Sequence, residues 1–348
     1  MMAGLKRLVR WPVAMLLAVF VLTGCDFAYQ ETVVGFEGRT MGTTYSVKWV
    51  DKNAARVQGL QVRADQVLAT VNKQMSTYDP TSELSTFNKL PGGSEMEVSD
   101  ALAFVTAEAL RISAESKGAF DATVGPLVNL WGFGPNGRIE KAPTDAEIEA
   151  LKPRIGYANI SVLENPTRLK KAGDQYLDLS AIAKGYGVDQ LARILEEAGI
   201  KNYLVEIGGE LRAKGVKPEG EHWRIAIESP DTLERSIGRI INVKDTGIAT
   251  SGDYRNYFEE DGVRFSHTID PSTARPITHK LASVTVLRPT CAEADALATT
   301  LMVMGEEAGF EFAKERGIAA YFLVKDANSE GFVEKATPEF EEFVQTQE

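Results

Sequence analysis

The segment DLSAIAKGYGVDQLARILEEAG, residues 178–199, joins two different patterns. Apolar and polar positions alternate in YLDLS, residues 176–180, which predicts a short strand. Apolar residues then recur at helical spacing, so we expect a helix that starts near Ala181 with Ser180 as its N-cap. Lys184 follows within the second turn, beside the glycines at 185 and 187.

The start of this predicted helix has two interpretations. A phosphate or pyrophosphate would meet the unpaired N–H groups of the first turn, the positive end of the helix dipole and the Lys184 ammonium, with Gly185 and Gly187 permitting close approach. The alternative is a capped amphipathic helix with one surface lysine. A P-loop is excluded, because GxxxxGK[ST] does not occur in the sequence.

The rest of the sequence alternates strand-like and helical patterns. We expect a strand over residues 38–50 and helices over residues 54–76, 100–117 and 291–304. The glycine-rich segment 118–137 is too apolar for a solvent loop, which predicts a buried, irregular lining. No repeat or low-complexity linker marks a domain boundary. The expected fold is therefore α+β (mixed α/β), as a single unit with room for two lobes.

The composition is that of a globular protein, since 44% of the 348 residues are hydrophobic and 25% are charged. The formal net charge is −11, and it falls further if the basic N-terminus is removed. Such an acidic protein repels a phosphate backbone, so we expect no nucleic-acid partner.

Residues 1–24 predict an export signal. Three basic residues precede the uncharged run WPVAMLLAVFVL, which is too short to span a bilayer. The LTGC that follows resembles a bacterial lipobox, which implies cleavage before Cys25 and lipidation of its thiol. A plain signal peptide with an incidental cysteine is the alternative. Residues 25–35 would form a tether, and Asp26 resembles the signal that keeps such lipoproteins in the inner membrane.

Asp295 and Thr299 are candidate metal ligands. They stand four residues apart in the predicted helix 291–304, so both oxygens lie on one face. A carboxylate and a hydroxyl suit Mg²⁺, which prefers oxygen ligands. Such a pair more often faces solvent, but the flanking apolar residues indicate a buried helix, where a carboxylate needs a partner. A zinc site is excluded, because no His and Cys cluster is present.

The segment SHTIDPSTARPI, residues 266–277, contains two candidates for a general base. His267 ends a strand-like run, and its imidazole can accept a proton near neutral pH. Asp270 begins the following turn and is its rival. A structural role for the histidine is the alternative. A serine-hydrolase triad is excluded by the lack of GxSxG.

A group of aromatic residues lies in or near the turn-rich segments. They can sandwich a flat ring with Asp121 as a polar contact, or they can pack in the core. The group consists of Tyr78, Phe120, Trp131 and Phe133.

Together these segments resemble the motif set of a known family, the bacterial FAD:protein FMN transferases, or ApbE family of lipoproteins. The similarity extends from about Gly38 to Val324 in matching order. Its blocks are GRTMGTTYSV, MSTYDPTSELSTFN, GAFDATVGPLVNLWGFG, YLDLSAIAKGYGVDQL, EIGGELRAKG, IATSGDYRNYF, HTIDPSTARPI and AEADALATT.

The resemblance implies that residues 36–348 form a flavin transferase domain with an FAD site and a metal site. The pyrophosphate of FAD would lie against the helix start at Lys184, together with Mg²⁺. Mg²⁺ would be held by the backbone carbonyl of Ala181 and the side chains of Asp295 and Thr299. The residues implied to hold FAD are Met41, Tyr78, Ala119, Phe120, Asp121, Asp178, Lys184 and Ile269.

The resemblance also implies a reaction and its partners. A threonine hydroxyl of an acceptor protein would attack the FMN-side phosphorus of FAD, so that FMN becomes attached through a phosphoester and AMP leaves. The implied acceptors are subunits of the Na⁺-translocating NADH:quinone reductase or Rnf type. The implied location is the periplasmic side of the inner membrane, with the anchor at Cys25. Three alternatives stay open: an FAD pyrophosphatase that gives FMN and AMP, a non-enzymatic FAD-binding lipoprotein, and an assembly lipoprotein that binds no ligand.

Overall fold

A computed structural model describes residues 31–347, except 54, 56, 138, 140, 230–235, 254–256, 261–262, 327–328 and 330. The predicted export signal, Cys25 and most of the predicted tether lie outside the described residues. Among the helices that are described, none is long and apolar enough to cross a bilayer.

Strands and helices both contribute extensively to the described chain. The strands are β1 (Thr32–Thr40), β2 (Thr43–Asp51), β3 (Glu95–Glu97), β4 (Ile160–Leu163), β5 (Arg168–Lys171), β6 (Tyr203–Ile207), β7 (Glu210–Lys214), β8 (Trp223–Ser229), β9 (Ser236–Val243), β10 (Thr246–Gly252), β11 (Tyr257–Glu260), β12 (Val263–Ser266), β13 (Ile269–Asp270), β14 (Arg275–Pro276), β15 (Leu281–Arg288), β16 (Ala319–Lys325) and β17 (Phe332–Ala336). The α-helices are α1 (Val57–Met75), α2 (Glu83–Lys89), α3 (Asp100–Glu115), α4 (Gly125–Leu130), α5 (Asp145–Leu151), α6 (Ala183–Glu197), α7 (Cys291–Glu315) and α8 (Pro338–Gln347).

A mixed sheet-and-helix core confirms the predicted α+β class. Eight antiparallel strands form one sheet in the order β1-β2-β6-β7-β10-β15-β16-β17. Helices α1, α6 and α7 cover one face, and the β8–β9 ribbon with α8 covers the other. Successive residues of β16 show the alternation, because Ala320 and Phe322 pack on the helix side while Tyr321 and Leu323 pack on the ribbon side.

A smaller set of elements packs beyond the helices. The sheet β3-β5-β4 lies against α3, which in turn contacts α1 and α7. Segment 118–137 runs beside it and buries Phe120, Leu127 and Trp131, as the sequence predicted, although it also contains the short helix α4. The predicted division into two lobes stays a prediction.

The single strand expected over residues 38–50 is wrong, since two strands form a hairpin there. Thr40 of β1 pairs with Thr43 of β2 across a two-residue turn. Met41 and Gly42 occupy that turn with φ of 49° and 74°. Positive φ at both positions is what a type I′ hairpin turn requires. Met-Gly lacks the Asn, Asp or Gly that usually marks the first of these positions, so the sequence pattern did not reveal the turn.

The strand expected at YLDLS is also wrong. Leu177 and Leu179 are fully buried, so the apolar alternation is real. The backbone of Leu177, however, exchanges hydrogen bonds with the side chain of Asn88 (2.8 Å for each bond), and Asp178 N donates to the carbonyl of Ala122 (2.7 Å). The backbone hydrogen-bonding groups of this segment are thus paired with a side chain and a loop carbonyl, and not with a neighbouring strand.

The helix predicted over residues 291–304 extends further than expected. Its regular part ends where predicted, because Gly305 interrupts α7 with φ of 80°. Helical structure resumes after the glycine and continues to Glu315.

The close approach of α6 to α7 depends on Gly185. A Cβ on this residue would stand 2.4 Å from the carbonyl oxygen of Cys291 and 2.8 Å from the Cα of Ala292. Both obstacles are backbone atoms, which cannot rotate away. Gly185 is therefore required by helix packing, and the expectation that it admits a ligand is not supported by its position.

We expect Gly185→Ala to lower the free energy of unfolding by about 1–3 kcal/mol, since the added methyl group forces α6 and α7 apart. Denaturant unfolding followed by circular dichroism would measure it. The matched control is Gly59→Ala in α1, where a Cβ would contact nothing within 4 Å. That change should be neutral or stabilising by up to about 1 kcal/mol. Equal effects of the two substitutions would contradict the packing argument.

Candidate functional site

A cavity of about 720 Å³ lies where α6, α7, the β6–β7 turn, β8 and β10 converge with segments 119–135 and 267–271. Most of the candidate site residues, whether predicted from the sequence pattern or implied by the family resemblance, line this one space, although they come from distant parts of the sequence. They are Tyr78, Ala119, Phe120, Asp121, Asp178, Ala181, Lys184, His267, Ile269, Asp295 and Thr299.

Two of the candidate site residues stand apart from this lining. Met41 is in the β1–β2 turn and packs between the two core clusters on the helix side. Asp270 lines a neighbouring cavity of about 620 Å³ with Ser272 and Lys152. Its Oδ1 accepts hydrogen bonds from the backbone N–H (2.8 Å) and the hydroxyl (2.7 Å) of Ser272. The Asp270 side chain thus stabilises a turn.

The centre of the cavity contains two buried carboxyl groups and one partly buried ammonium group. Lys184 Nζ lies 2.5 Å from Glu210 Oε1, and Asp295 Oδ2 accepts a hydrogen bond from the backbone N–H of Gly185 (3.0 Å). Glu210 and Asp295 each expose 4% of their surface. With two carboxylates beside one ammonium, the fully ionised cluster has an excess negative charge.

The pKa values of these groups reflect their burial and proximity. Burial raises the pKa of the Glu210 carboxyl to about 7, because Lys184 offsets desolvation only in part and Asp295 adds repulsion. Burial likewise raises the pKa of Asp295 against the attraction of Lys184. Burial alone would lower the pKa of Lys184, but the neighbouring carboxylates raise it above its usual value. The lysine is therefore a firmly charged ammonium.

Glu210 is the residue of this cluster that the sequence interpretation missed. It lies directly after Gly208 and Gly209, whose φ values of 61° and 110° form the tight turn between β6 and β7. That turn aims the first side chain of β7 into the cavity. The signal was present in the block EIGGELRAKG, where an acidic residue follows two glycines at the head of a strand.

The cluster fits a bound cation. Glu210 Oε2 is buried without a hydrogen-bond partner among the described residues. An unpaired buried carboxylate oxygen is costly, and a cation close by would remove that cost. Thr299 offers its hydroxyl on the same face of α7 as Asp295, and Ala181 lies on the same cavity wall. Among the described residues, no group of three or more His, Cys, Asp or Glu side chains is placed to hold a metal ion, but the expected ligand set needs only one carboxylate.

The helix start differs from the predicted anion site. α6 begins at Ala183, and Ser180 is not its N-cap, because its hydroxyl donates to Asp178 Oδ1 (2.6 Å). The N–H of Ala183 donates to the carbonyl of Leu179 (2.8 Å), and that of Gly185 donates to Asp295. These two N–H groups already donate hydrogen bonds within the protein and are not available to an anion. Attraction for an anion at this point therefore depends on the Lys184 ammonium, which lies in the first turn.

At another part of the cavity wall, the Asp121 carboxylate forms hydrogen bonds that hold the surrounding loops in place. Asp121 Oδ1 accepts from the backbone N–H (2.7 Å) and the hydroxyl (2.6 Å) of Thr123, and Oδ2 accepts from Tyr157 N (3.2 Å). Burial raises the pKa of Asp121. Tyr78 lines the cavity and exposes 65% of its surface. Partial desolvation together with the charge of Asp178 raises the pKa of its hydroxyl. A rigid carboxylate and an accessible aromatic ring thus border the same space.

The predicted aromatic group divides into two. Phe120 and Phe133 line the cavity together with Tyr78. Trp131 is buried in the core, where its indole N–H donates to the carbonyl of Ala274 (3.0 Å) and its ring stacks on Phe265. The structure therefore removes Trp131 from the candidate ligand contacts.

His267 is the candidate base whose side chain borders the main cavity. Its ring meets that of Phe133 edge to face, with centroids 6.3 Å apart. Ile269, two residues further along, lines the same wall. Between the two predicted candidates, this location favours His267 over Asp270.

Comparisons with known proteins agree with the motifs. The ApbE family model matches residues 41–322. A Vibrio cholerae protein named FAD:protein FMN transferase is 48% identical over 335 residues, covering 96% of this chain and 98% of that protein. A Haemophilus influenzae protein of the same name is 45% identical over 352 residues, covering 99% and 100%.

A solved structure extends the likeness to three dimensions. The Pseudomonas stutzeri flavinyl transferase ApbE in its apo form matches with a TM-score of 0.83 at 43% identity, covering 90% of this chain and 98% of that one. The predicted family and the predicted class of enzyme are thereby confirmed: the chain is a transferase that belongs to the ApbE family.

Proposed function

We propose that this chain is a Mg²⁺-dependent FAD:protein FMN transferase that attaches FMN to a threonine of an acceptor protein and releases AMP. The observation that carries the proposal is the cluster of Lys184 with the buried carboxyl groups of Glu210 and Asp295, including an unpaired carboxylate oxygen, inside a cavity that His267 also borders. The names of the relatives supply the two substrates, FAD and a protein. The cavity volume of about 720 Å³ lies within the range of small-molecule sites.

Lys184 is suited to hold the pyrophosphate of FAD. Its ammonium is charged and lies within a largely buried cluster, where attraction to an anion is stronger than in water. The ion pair with Glu210 fixes the direction of its long side chain, so little entropy is lost when a phosphate arrives. Tyr78 and Phe133 border the same cavity with partly exposed rings and offer apolar surface to the flat rings of FAD.

Asp295, Thr299 and the carbonyl of Ala181 would hold Mg²⁺. When bound, the ion would neutralise the pyrophosphate and the charge that develops on the departing AMP. Glu210 is not one of the expected ligands, but its carboxylate adds to the negative potential at the site and so favours a cation there.

His267 would act as the general base. An imidazole nitrogen takes the proton from the threonine Oγ while that oxygen forms a bond to the FMN-side phosphorus. The P–O bond between the two phosphates of FAD breaks, and its electron pair leaves with AMP. General-base help of this kind contributes about 10²–10⁴-fold in rate.

We also propose that a lipid anchor at Cys25 places the enzyme on the periplasmic side of the inner membrane, beside its acceptors. The support is the sequence pattern of residues 1–26. Confinement to one surface with the acceptor raises the frequency of encounter. Protein extracted from membranes would carry acyl chains at its N-terminal cysteine, and an unmodified thiol there would contradict the anchor.

The transfer itself is tested with a threonine-containing peptide from the flavin-carrying subunit of a Na⁺-translocating NADH:quinone reductase. Incubated with the purified protein, FAD and Mg²⁺, the peptide should gain one FMN, seen by mass spectrometry, and AMP should appear in equal amount. EDTA should abolish the gain, as should Asp295→Ala. Free FMN and AMP with an unmodified peptide would instead show a pyrophosphatase, and intact FAD would show a binding protein.

We expect His267→Ala to lower the rate of FMN transfer by about 10²–10⁴-fold without a matching loss of FAD affinity. Single-turnover kinetics would give the rate, and quenching of flavin fluorescence would give the affinity. His222→Ala is the control, since His222 is not among the residues that line the cavity. Unchanged turnover of the His267 variant would remove this residue from the mechanism.

We expect Glu210→Gln to raise the Mg²⁺ concentration for half-maximal transfer on the order of tenfold, since a close buried charge contributes about 1.4 kcal/mol or more to cation binding. The Mg²⁺-dependent rise in Tm should weaken in parallel. Glu206→Gln is the matched control, because Glu206 also borders the cavity but is only partly buried. An identical Mg²⁺ dependence of the two variants would rule out the role of Glu210.

A further inference from the structure

One edge of β10 is only partly covered by its neighbour. On one side β10 pairs with β15 along residues 247–252. On the other side, among the described residues, β7 pairs only with residues 246–248. β7 cannot extend further in this direction, because it begins at Glu210, directly after the turn at Gly208 and Gly209 that joins it to β6. Residues 249–252 therefore present an edge without a strand beside it in the described part of the chain.

The backbone groups that face this edge can be assigned. Asp253 N donates to the carbonyl of Ala282 in the direction of β15 (3.0 Å). Alternate residues of an antiparallel strand direct their N–H and C=O groups to opposite sides. Ser251 and Ala249 therefore face β15, whereas the N–H and C=O groups of Thr250 and Gly252 face the uncovered edge. Such groups are a template for another strand.

The uncovered edge borders the candidate active site. Thr250, Ser251 and Gly252 line the 720 Å³ cavity. The hydroxyl of Ser251 lies 3.4 Å from that of Thr299, one of the expected metal ligands on α7. On the opposite face of the sheet, Thr250 pairs with Thr285 through their hydroxyls (2.8 Å). A strand placed along this edge would thus have one side toward α7 and the other toward β8.

We propose that the acceptor protein docks as an extended segment that adds a strand to the uncovered edge of β10, in line with β7. The inference rests on the proposed function, which requires a polypeptide hydroxyl to enter an internal cavity. An extended segment advances about 3.3 Å per residue and is thin enough to follow a single sheet edge, whereas a folded surface is not. The edge of residues 249–252 offers hydrogen bonds to its backbone, as in other strand-addition complexes.

This docking mode assigns the two sides of the acceptor strand. Its reactive threonine would point toward α7, on the side of Ser251 and Thr299. The residues immediately before and after the threonine would point toward β8, where Arg224 and Ala226 are exposed on the cavity wall. Backbone pairing supplies affinity without regard to sequence, and the side chains that face β8 supply selectivity.

An N-methyl scan of the acceptor peptide tests the pairing. Each backbone amide within three residues of the threonine is methylated in turn, and kcat/KM for FMN transfer is measured by mass spectrometry. Loss of one edge hydrogen bond should lower kcat/KM by about fivefold or more. The losses should alternate, because only every second amide faces β10. A peptide that is modified at full rate whichever amide is methylated overturns the proposal and leaves the transferase intact.

Hydrogen exchange provides a readout that does not depend on the chemistry. The probe is the same peptide with valine in place of its threonine, added to the full-length protein with and without FAD. The amides of Thr250 and Gly252 should exchange about fivefold more slowly with the peptide, whereas those of Ala249 and Ser251, which already face β15, should not change. Protection of Thr250 and Gly252 by FAD alone would make FAD the occupant of the edge and overturn the proposal. If the threonine peptide is not modified and the valine peptide gives no protection, the proposed function fails together with the docking mode.

Discussion

The ion pair between Lys184 and Glu210, with Asp295 beside it, holds three elements of the fold at one point. Lys184 comes from α6, Glu210 from the head of β7 and Asp295 from α7. Buried charges of this kind rarely add net stability, because the loss of hydration offsets their attraction. The excess carboxylate is therefore better explained by a ligand than by folding, and the unpaired oxygen of Glu210 supports the same view.

The cluster can form only because α6 and α7 approach so closely. Gly185 removes the side chain that would separate them, and its N–H then reaches Asp295. One turn further along α6, the Asp189 carboxylate accepts hydrogen bonds from the N–H groups of Cys291 (3.0 Å) and Ala292 (2.9 Å), which are the first residues of α7. A side chain of α6 thus accepts hydrogen bonds from the unpaired N–H groups in the first turn of α7. These bonds fix the position of α7, and therefore of its candidate metal ligands, relative to α6.

Sequence patterns predicted what depends on local spacing. The helices α1, α3 and α6 lie close to their predicted bounds, and α7 begins where predicted but runs on to Glu315. The four-residue spacing placed Asp295 and Thr299 on one face of a buried helix. Sequence patterns failed to predict local structure where a residue distant in the sequence forms hydrogen bonds with the backbone. Asn88 replaces a strand partner for Leu177, and Leu179 and Asp295 take the amides that were expected to bind an anion. Glu210 was missed for the same reason, since its partner Lys184 lies 26 residues earlier in the sequence and only the fold brings the two together.

The turn at Gly208 and Gly209 has two consequences that belong together. The positive φ values of the two glycines reverse the chain so that β7 begins only at Glu210. The turn thereby directs Glu210 toward Lys184 and leaves β10 without a paired strand from residue 249 onward. A longer β7 would complete the sheet but would fill the gap through which the cavity passes from the α7 side to the β8 side. A sheet with one short strand therefore gives the proposed enzyme both parts of its task. In the proposed reaction, the charge cluster would bind the pyrophosphate of FAD, and the free edge beside it would receive the acceptor segment.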